Sequence, residues 1–140
     1  MNYLQAYAIS GAGMTVEKAR VDLIAVNLAN AHSTRSADGG TFRPLRLVSA
    51  AGAADFPAVL AGALRGPEVV EVRPLDTPPR LAYEPGHPDA DGKGFVAYPG
   101  IQPAAEMILM LTATRAYEAN VAAVNATKRV LQAALEIGQG

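Results

Sequence analysis

The N-terminal segment carries apolar side chains at the spacing of an amphipathic helix. One set of positions alternates three and four residues apart, the heptad spacing of a coiled coil: Ile9, Ala12, Val16, Ala19, Leu23, Val26 and Asn30. A second set runs beside it: Met14, Val21, Ile24, Leu28 and Ala31. Because this apolar surface is too wide for one partner helix, it predicts several neighbours. Gly11 and Gly13 each cost about 1 kcal/mol in a helix interior, so we expect a short leading helix and a main helix beginning near Thr15.

The C-terminal segment shows the same spacing over a longer stretch. One seam covers four heptads: Met107, Met110, Thr114, Tyr117, Val121, Val124, Lys128, Leu131 and Leu135. A second strip is rich in small residues: Leu109, Ala113, Ala116, Asn120, Ala123, Thr127, Val130, Ala134 and Ile137. Pro103 suits a first helical position and Gly138 a C-terminal cap. The pattern predicts one helix over 104–137.

A helix of this length is too long for the domain that carries it. It would extend about 50 Å, whereas a compact chain of this size has a radius of gyration of about 14 Å. Burying one leucine-sized side chain contributes about 1.5 to 3 kcal/mol of free energy, which an exposed one does not gain. The N-terminal helix can cover one of the two strips, and we expect the other to be an assembly surface.

The middle of the chain excludes long helices. All ten prolines fall between positions 44 and 103, and an interior proline costs a helix about 3 kcal/mol. Short β-prone runs occur at 45–48, 69–72, 81–83 and 95–98, bounded by turn residues. We predict an α+β fold in which long N- and C-terminal helices form a coiled-coil layer around a small, β-rich and loop-rich insert. The expected segments are 1–34, 35–103 and 104–140.

Charge and composition exclude several classes of protein. The net charge is −1, which gives no basic surface for nucleic acid or anionic lipid. No Lys or Arg precedes Lys18, so a Sec-type signal is not indicated. No run approaches the roughly 20 apolar residues of a membrane span. The absence of cysteine excludes thiol catalysis, disulfides and Cys-ligated zinc.

The densest polar cluster, residues 84–94, is the place to look for catalysis. His87, Asp89 and Asp91 could ligate a divalent cation. A turn explains the same composition, since Pro and Gly fix its backbone and Asp bonds local amides. The four helix glutamates are expected in solvated ion pairs: Glu17, Glu106, Glu118 and Glu136. We predict no catalytic residue, metal or cofactor, and therefore no enzyme.

Asparagines are unusual in these alanine-rich helices. At a seam position, an asparagine fixes register and partner choice, which we expect of Asn120 and Asn125 because both lie in mid-helix. Asn30 fits that role equally with ending its helix in left-handed geometry. Tyr117 is expected in the core, with its hydroxyl reaching a partner on another helix.

Three stretches together carry a family resemblance. They are the run from Val26 to Ala31 with the following turn to Arg43, the central 83–91 and 94–99, and the C-terminal 106–107, 114–121, 125–128 and 134–138. In this order they resemble the flagellar rod and hook family of bacteria, and within it the proximal part of the rod. The resemblance does not cover residues 49–74.

The resemblance implies a structural subunit of the basal-body rod in the periplasm, which assembles helically into a torque-transmitting drive shaft. It also implies partners: further copies of the chain, other rod proteins, the flagellar type III export apparatus and MS-ring or base proteins. A soluble helical adaptor or chaperone-like protein is the alternative, and a metal-dependent enzyme using His87 is a third hypothesis. The expected assembly interface comprises Ile9, Val16, Leu23, Val26, Asn27, Leu28, Asn30, Met107, Met110, Tyr117, Asn120, Val121, Val124, Asn125, Leu131 and Leu135.

Overall fold

Along the chain, one long helix precedes and another follows two short antiparallel strand pairs. The structure is a computed structural model that describes residues 3–35, 39–51 and 64–138. Its elements are α1 (Tyr3–Ala29), β1 (Leu45–Ala51), β2 (Pro67–Pro74), β3 (Arg80–Tyr83), β4 (Phe95–Tyr98) and α2 (Pro103–Gly138). The α+β fold is confirmed, and each predicted β-prone run lies in a strand. The division at 34 and 103 stays a prediction.

The N-terminal helix is continuous, so the predicted break near Thr15 is wrong. Gly11 and Gly13 both lie inside α1, and Gly13 is buried. The helix ends at Ala29, where the Asn30 side chain donates a hydrogen bond to the Val26 carbonyl. Asn30 therefore closes the last turn, without the left-handed backbone that we had offered as its alternative.

The C-terminal helix begins and ends within one residue of its predicted bounds. Its 36 residues span about 54 Å, against about 40 Å for the 27 residues of α1. The two helices pack antiparallel, because Asn27 near the end of α1 meets Glu106 at the start of α2. Among the less exposed positions of α2 is one heptad series that draws on both predicted strips: Met110, Ala113, Tyr117, Asn120, Val124, Thr127 and Leu131. The expectation that α1 covers one strip alone is therefore wrong.

The β1–β2 ribbon lies along α1. Its register pairs Leu45 with Pro74 and Ala51 with Pro67, with a bulge between Val48 and Ser49. The Arg20 side chain of α1 donates a hydrogen bond of 3.2 Å to the Ser49 hydroxyl. Most of β2 is exposed, and in the described residues the side-chain hydrogen bonds that tie the ribbon to the helices come from β1.

The β3–β4 hairpin forms a separate two-stranded unit. Arg80 pairs with Tyr98 and Tyr83 with Phe95, whose rings meet edge to face at 5.3 Å. This hairpin buries Val96 completely and leaves Tyr98 8% exposed. Its apolar side joins a small core with other buried residues of the connecting segments: Ala31, Pro44, Pro99 and Ile101. In the part of the chain that the structure describes, neither helix is long and apolar enough to cross a membrane.

Candidate assembly surface

A buried asparagine joins α1 to the first strand. Asn27 is fully buried. Its side-chain oxygen accepts a hydrogen bond of 2.8 Å from the Leu45 backbone N–H, and its Nδ2 donates to the Leu45 carbonyl at 3.0 Å. One asparagine side chain thus satisfies both backbone groups at the first residue of β1, which fixes where the insert leaves the helices.

The same asparagine contacts a buried ion pair. Its Nδ2 also donates to Glu106 Oε2 at 3.1 Å, and Arg46 binds both oxygens of that carboxylate, one of them at 3.0 Å. The Glu106 side chain is only 4% exposed. The expectation that Glu106 lies in a solvated ion pair is therefore wrong, because α1 and β1 cover it and supply its partners.

This polar cluster, Asn27, Arg46 and Glu106, joins three elements at one point. A buried carboxylate is stable only when it is paired and its remaining lone pairs are satisfied. In the described part of the chain, every buried side-chain nitrogen or oxygen has a hydrogen-bond partner. The cluster therefore has the chemistry of a fully satisfied structural contact, with the Glu106 carboxylate enclosed by protein.

A second close contact lies midway along the helices. A Cβ atom on Gly13 would lie 2.9 Å from both Asn120 Nδ2 and Asn120 Oδ1, so a larger residue at position 13 would displace the Asn120 side chain from its place against α1. Asn120 Nδ2 bonds the Ala116 carbonyl one turn earlier in its own helix. The glycine that we had interpreted as a weak point is instead a packing site.

The side of α2 opposite α1 is exposed and apolar at its beginning. Ile108 is 65% exposed and Leu111 58% exposed. One helical stripe continues from them through exposed positions that are mostly alanine or arginine: Arg115, Ala119, Ala122, Ala126, Arg129 and Ala133. We call this set, from Ile108 to Ala133, the outer stripe. It belongs to neither predicted strip.

The apolar surface continues at the two helix tips. Near the start of α1, Leu4 is 71% exposed, and near the end of α2, Leu135 and Ile137 are also largely exposed. Since α2 is longer than α1, no helix among residues 3–35, 39–51 and 64–138 runs beside its last turns. Solvent-facing side chains of this size in a row mark surfaces that bind protein.

The sixteen predicted interface residues divide by burial. Four are exposed: Val26, Met107, Asn125 and Leu135. Ten are partly buried along the helix pair: Ile9, Leu23, Leu28, Asn30, Met110, Tyr117, Asn120, Val121, Val124 and Leu131. Val16 and Asn27 are buried inside the chain. The assembly role of the set stays a prediction, and the exposed members are those that a neighbour can reach directly.

Tyr117 lines a groove between the helices together with Tyr7, Met14 and Lys18. Its packing position agrees with the expected core role only in part, since the side chain is half-buried. Among the described residues its hydroxyl forms no hydrogen bond to another helix, contrary to our expectation.

The polar loop at 84–94 is a turn that closes the β3–β4 hairpin. Asp91 Oδ1 accepts hydrogen bonds from the backbone N–H groups of Lys93 and Phe95. Asp89 accepts one from the Thr34 hydroxyl and forms an ion pair of 2.7 Å with Arg35, while the Asp89 N–H donates to His87 Nδ1. These contacts dock the loop onto the segment after α1. Within residues 3–35, 39–51 and 64–138, no group of three His, Asp or Glu side chains is arranged to hold a metal ion.

The sequence reasoning missed Arg46, Gly13 and the start of the outer stripe. Arg46 and Glu106 are 60 positions apart, and nothing in periodicity relates a strand residue to a helix residue at that distance. The apolar run from Met107 to Leu111 was a usable signal, because apolar side chains on all sides of a helix leave some for a further partner.

Comparison with known proteins decides the family. Residues 93–137 match the model described as flagellar basal body rod FlgEFG protein C-terminal. Flagellar basal-body rod protein FlgC of Escherichia coli O157:H7 is 35% identical over 139 residues, which cover 99% of this chain and all of the relative. The protein of the same name from Aquifex aeolicus is 38% identical over 138 residues, or 97% of each chain. The FlgC protein of Bacillus subtilis is 35% identical over 150 residues.

The chain belongs to the FlgC family of flagellar basal-body rod proteins. It is a structural subunit of the rod of the flagellar basal body. The matched relatives span the whole chain, from α1 through the insert to α2. A rod subunit works through its contacts with neighbouring subunits, so the exposed helix surfaces described above are where such contacts are to be sought.

Proposed function

We propose that this chain builds the proximal part of the rod by stacking helically with further copies of itself and with other rod proteins. The neighbours contact the exposed side chains of α1 and α2, and the insert faces outward. The outer stripe supports this proposal most directly, because Ile108 and Leu111 are more than half exposed and their burial would contribute about 1.5 to 3 kcal/mol each.

The alanines of the outer stripe suit this role. Ala119, Ala122, Ala126 and Ala133 are small and exposed, so a neighbouring helix can approach at the short end of the 8–10 Å interaxial range. Contacts between different faces of successive subunits build open helical filaments instead of closed rings. A shaft built in this way transmits torque, resides in the periplasm and requires no catalytic step.

We further propose that the chain reaches its site through the flagellar type III export apparatus without cleavage, and that its lowest copies contact the MS-ring or other base proteins. These partners rest on the family alone. The exposed tips at the shared end of this antiparallel pair, with Leu4 at the start of α1 and Ile137 at the end of α2, are candidate contacts for the next subunit along the rod.

The test places a charge on the outer stripe. Ile108→Glu is introduced into the chain and expressed in a flagellated strain that lacks its own copy. We expect the variant to be exported but absent from purified basal bodies, and swimming in soft agar to be lost, because a buried unpaired carboxylate costs several kcal/mol at each repeated contact.

Gln132→Glu is the matched control, since it adds the same charge at an exposed position of the same helix outside the outer stripe. It should leave swimming close to that of the parent. Normal swimming of Ile108→Glu would contradict the assignment of the outer stripe, and retention of that variant in the cytoplasm would place the defect in export instead.

A further inference from the structure

The helices α1 and α2 contact each other through polar or glycine positions at two places. Asn27 meets Glu106 near one end, and Gly13 meets Asn120 near the middle. Positions 13 and 27 are 14 residues apart in α1, and positions 106 and 120 are 14 residues apart in α2. Both intervals are two heptads, so both contacts lie on the same face of each helix.

Apolar packing alone does not select this alignment. A heptad pattern presents an equivalent apolar face after a slip of seven residues, or about 10.5 Å. In one direction, such a slip brings Glu106 level with Arg20 and Asn120 level with Ala6. In the other direction, it brings Asn27 level with Ala113 and Asn120 level with Arg20.

Each slipped alignment breaks both contacts at once. Asn27 loses the Glu106 carboxylate, and Asn120 moves from the only residue in the contact that lacks a Cβ onto a larger one. Arg20 cannot replace the lost partners without breaking its own contacts. Its guanidinium is already bound to the Glu17 carboxylate at 2.6 Å and 2.7 Å and to the Ser49 hydroxyl. A buried asparagine or carboxylate without its partner is costly.

We propose that Asn27–Glu106 and Gly13–Asn120 form a two-point register lock that selects one of several heptad-related alignments of α1 on α2. The lock determines which residues of the two helices are level with each other, and therefore which composite surface the pair presents. Arg46 extends it to the insert, since the same carboxylate binds β1. This inference concerns the isolated chain and does not depend on where the chain assembles.

The absence of cysteine allows a direct test by disulfide formation. Ala6 and Thr127 are level in the observed alignment, whereas Ala6 and Ala134 become level only after a slip of one heptad. A disulfide needs Cα atoms within about 7 Å. In the parent sequence we expect Ala6→Cys/Thr127→Cys to oxidise at least about tenfold faster than Ala6→Cys/Ala134→Cys.

Removing the lock should reduce this difference. In an Asn27→Ala/Asn120→Ala background, the 6–134 disulfide should form at a rate within about threefold of the 6–127 disulfide, because the apolar faces then permit both alignments. Asn30→Ala/Asn125→Ala is the control, since it removes two asparagines outside these contacts. It should preserve the parent's ratio.

A second measurement applies if the Asn27→Ala/Asn120→Ala protein, which we call the unlocked protein, is largely unfolded before its disulfide has formed. Both disulfides are then formed by forced oxidation, and the urea midpoints of the two cross-linked proteins are compared. The lock predicts a clearly lower midpoint for the 6–134 disulfide in the parent sequence and nearly equal midpoints in the unlocked one. Equal oxidation rates in the parent, or an unchanged preference for 6–127 after unlocking, would overturn the proposal.

Discussion

The two strand pairs of the insert have the same architecture and are held in place by different physics. The β3–β4 hairpin contributes apolar side chains to a core, with Val96 fully buried and Tyr98 nearly so. The β1–β2 ribbon leaves Val70 60% and Val72 46% exposed. It is held through Arg46, Leu45 and the hydrogen bond of Ser49 with α1.

Two-stranded sheets are marginally stable alone, so each needs an anchor. For β3–β4 the strands are anchored by burial, which is non-directional and tolerates small shifts, while the polar contacts of Asp89 hold only the connecting loop. For β1–β2, whose first strand is only partly buried, the anchor includes a set of hydrogen bonds and one ion pair, which demand a fixed geometry. The comparison indicates that directional polar contacts are found where the chain leaves the helices and the orientation of the insert is set.

The largest effect is expected when the polar anchor is broken. Glu106→Gln removes the charge that pairs with Arg46 and should cost about 3 kcal/mol of unfolding free energy, near the lower end of the range for broken buried pairs because Arg46 is partly exposed. Urea denaturation measures the loss, and hydrogen exchange at Leu45 should accelerate more than at Val96.

The matched control for this change is Glu118→Gln, at an exposed position of the same helix. It should shift the unfolding free energy by less than about 0.5 kcal/mol. Equal effects of the two variants would mean that the polar cluster does not anchor the ribbon.

The next largest effect is expected when a valine is truncated to alanine in each of the two strand pairs. Val96→Ala should destabilise the protein by about 2 kcal/mol because it leaves a cavity in the core. Val70→Ala removes an equal volume from an exposed position and should change the unfolding free energy by less than about 0.5 kcal/mol. Thermal unfolding of the two variants measures the difference, and a larger loss for Val70→Ala would contradict the greater burial of the β3–β4 hairpin.

The smallest effect concerns alkaline pH. The Tyr98 hydroxyl donates a hydrogen bond of 3.0 Å to the Glu84 carboxylate, which together with burial raises the pKa of Tyr98 above its ordinary value of 10.0. The unfolded chain therefore releases this proton first, and the associated stability is complete below about pH 10 and declines as the pH rises toward the folded-state pKa.

Tyr98→Phe should flatten this alkaline decline while keeping the ring contact with His32. This expectation is tested by measuring the unfolding free energy of both proteins from pH 9 upward, in steps of about half a pH unit. Tyr83→Phe leaves the bond between Tyr98 and Glu84 in place and should retain the decline. An identical pH profile for Tyr98→Phe and the parent would refute the role given to this bond.

The helices and strands were predictable because their signals are local. Proline positions excluded helix between 44 and 103, and the heptad spacing and the helix-end signals at Pro103 and Gly138 placed α2 within one residue. The β-prone runs were short but each was bounded by turn residues, so their existence could be predicted. Which strand pairs with which was not stated in advance, because pairing depends on contacts distant in the sequence.

The errors arise where a residue's environment is made by distant parts of the chain. Gly13 has a high helical cost in isolation, yet the Asn120 side chain packed on it decides its role. Glu106 has the position of a solvated first-turn carboxylate, and only β1 folding over it makes it buried. The division of α2 into two strips failed for a related reason, since the actual contact with α1 runs between them.

The hydrogen bonding of Asn27 also limits what position 27 can be. Aspartate would lose both N–H donors and set a second carboxylate against Glu106, glutamine would displace the amide by one methylene, and leucine would leave the Leu45 N–H and carbonyl unpaired. Of the twenty side chains, only asparagine both accepts from and donates to one backbone residue while donating a second hydrogen bond to the Glu106 carboxylate at this distance. In this architecture the position has no conservative replacement.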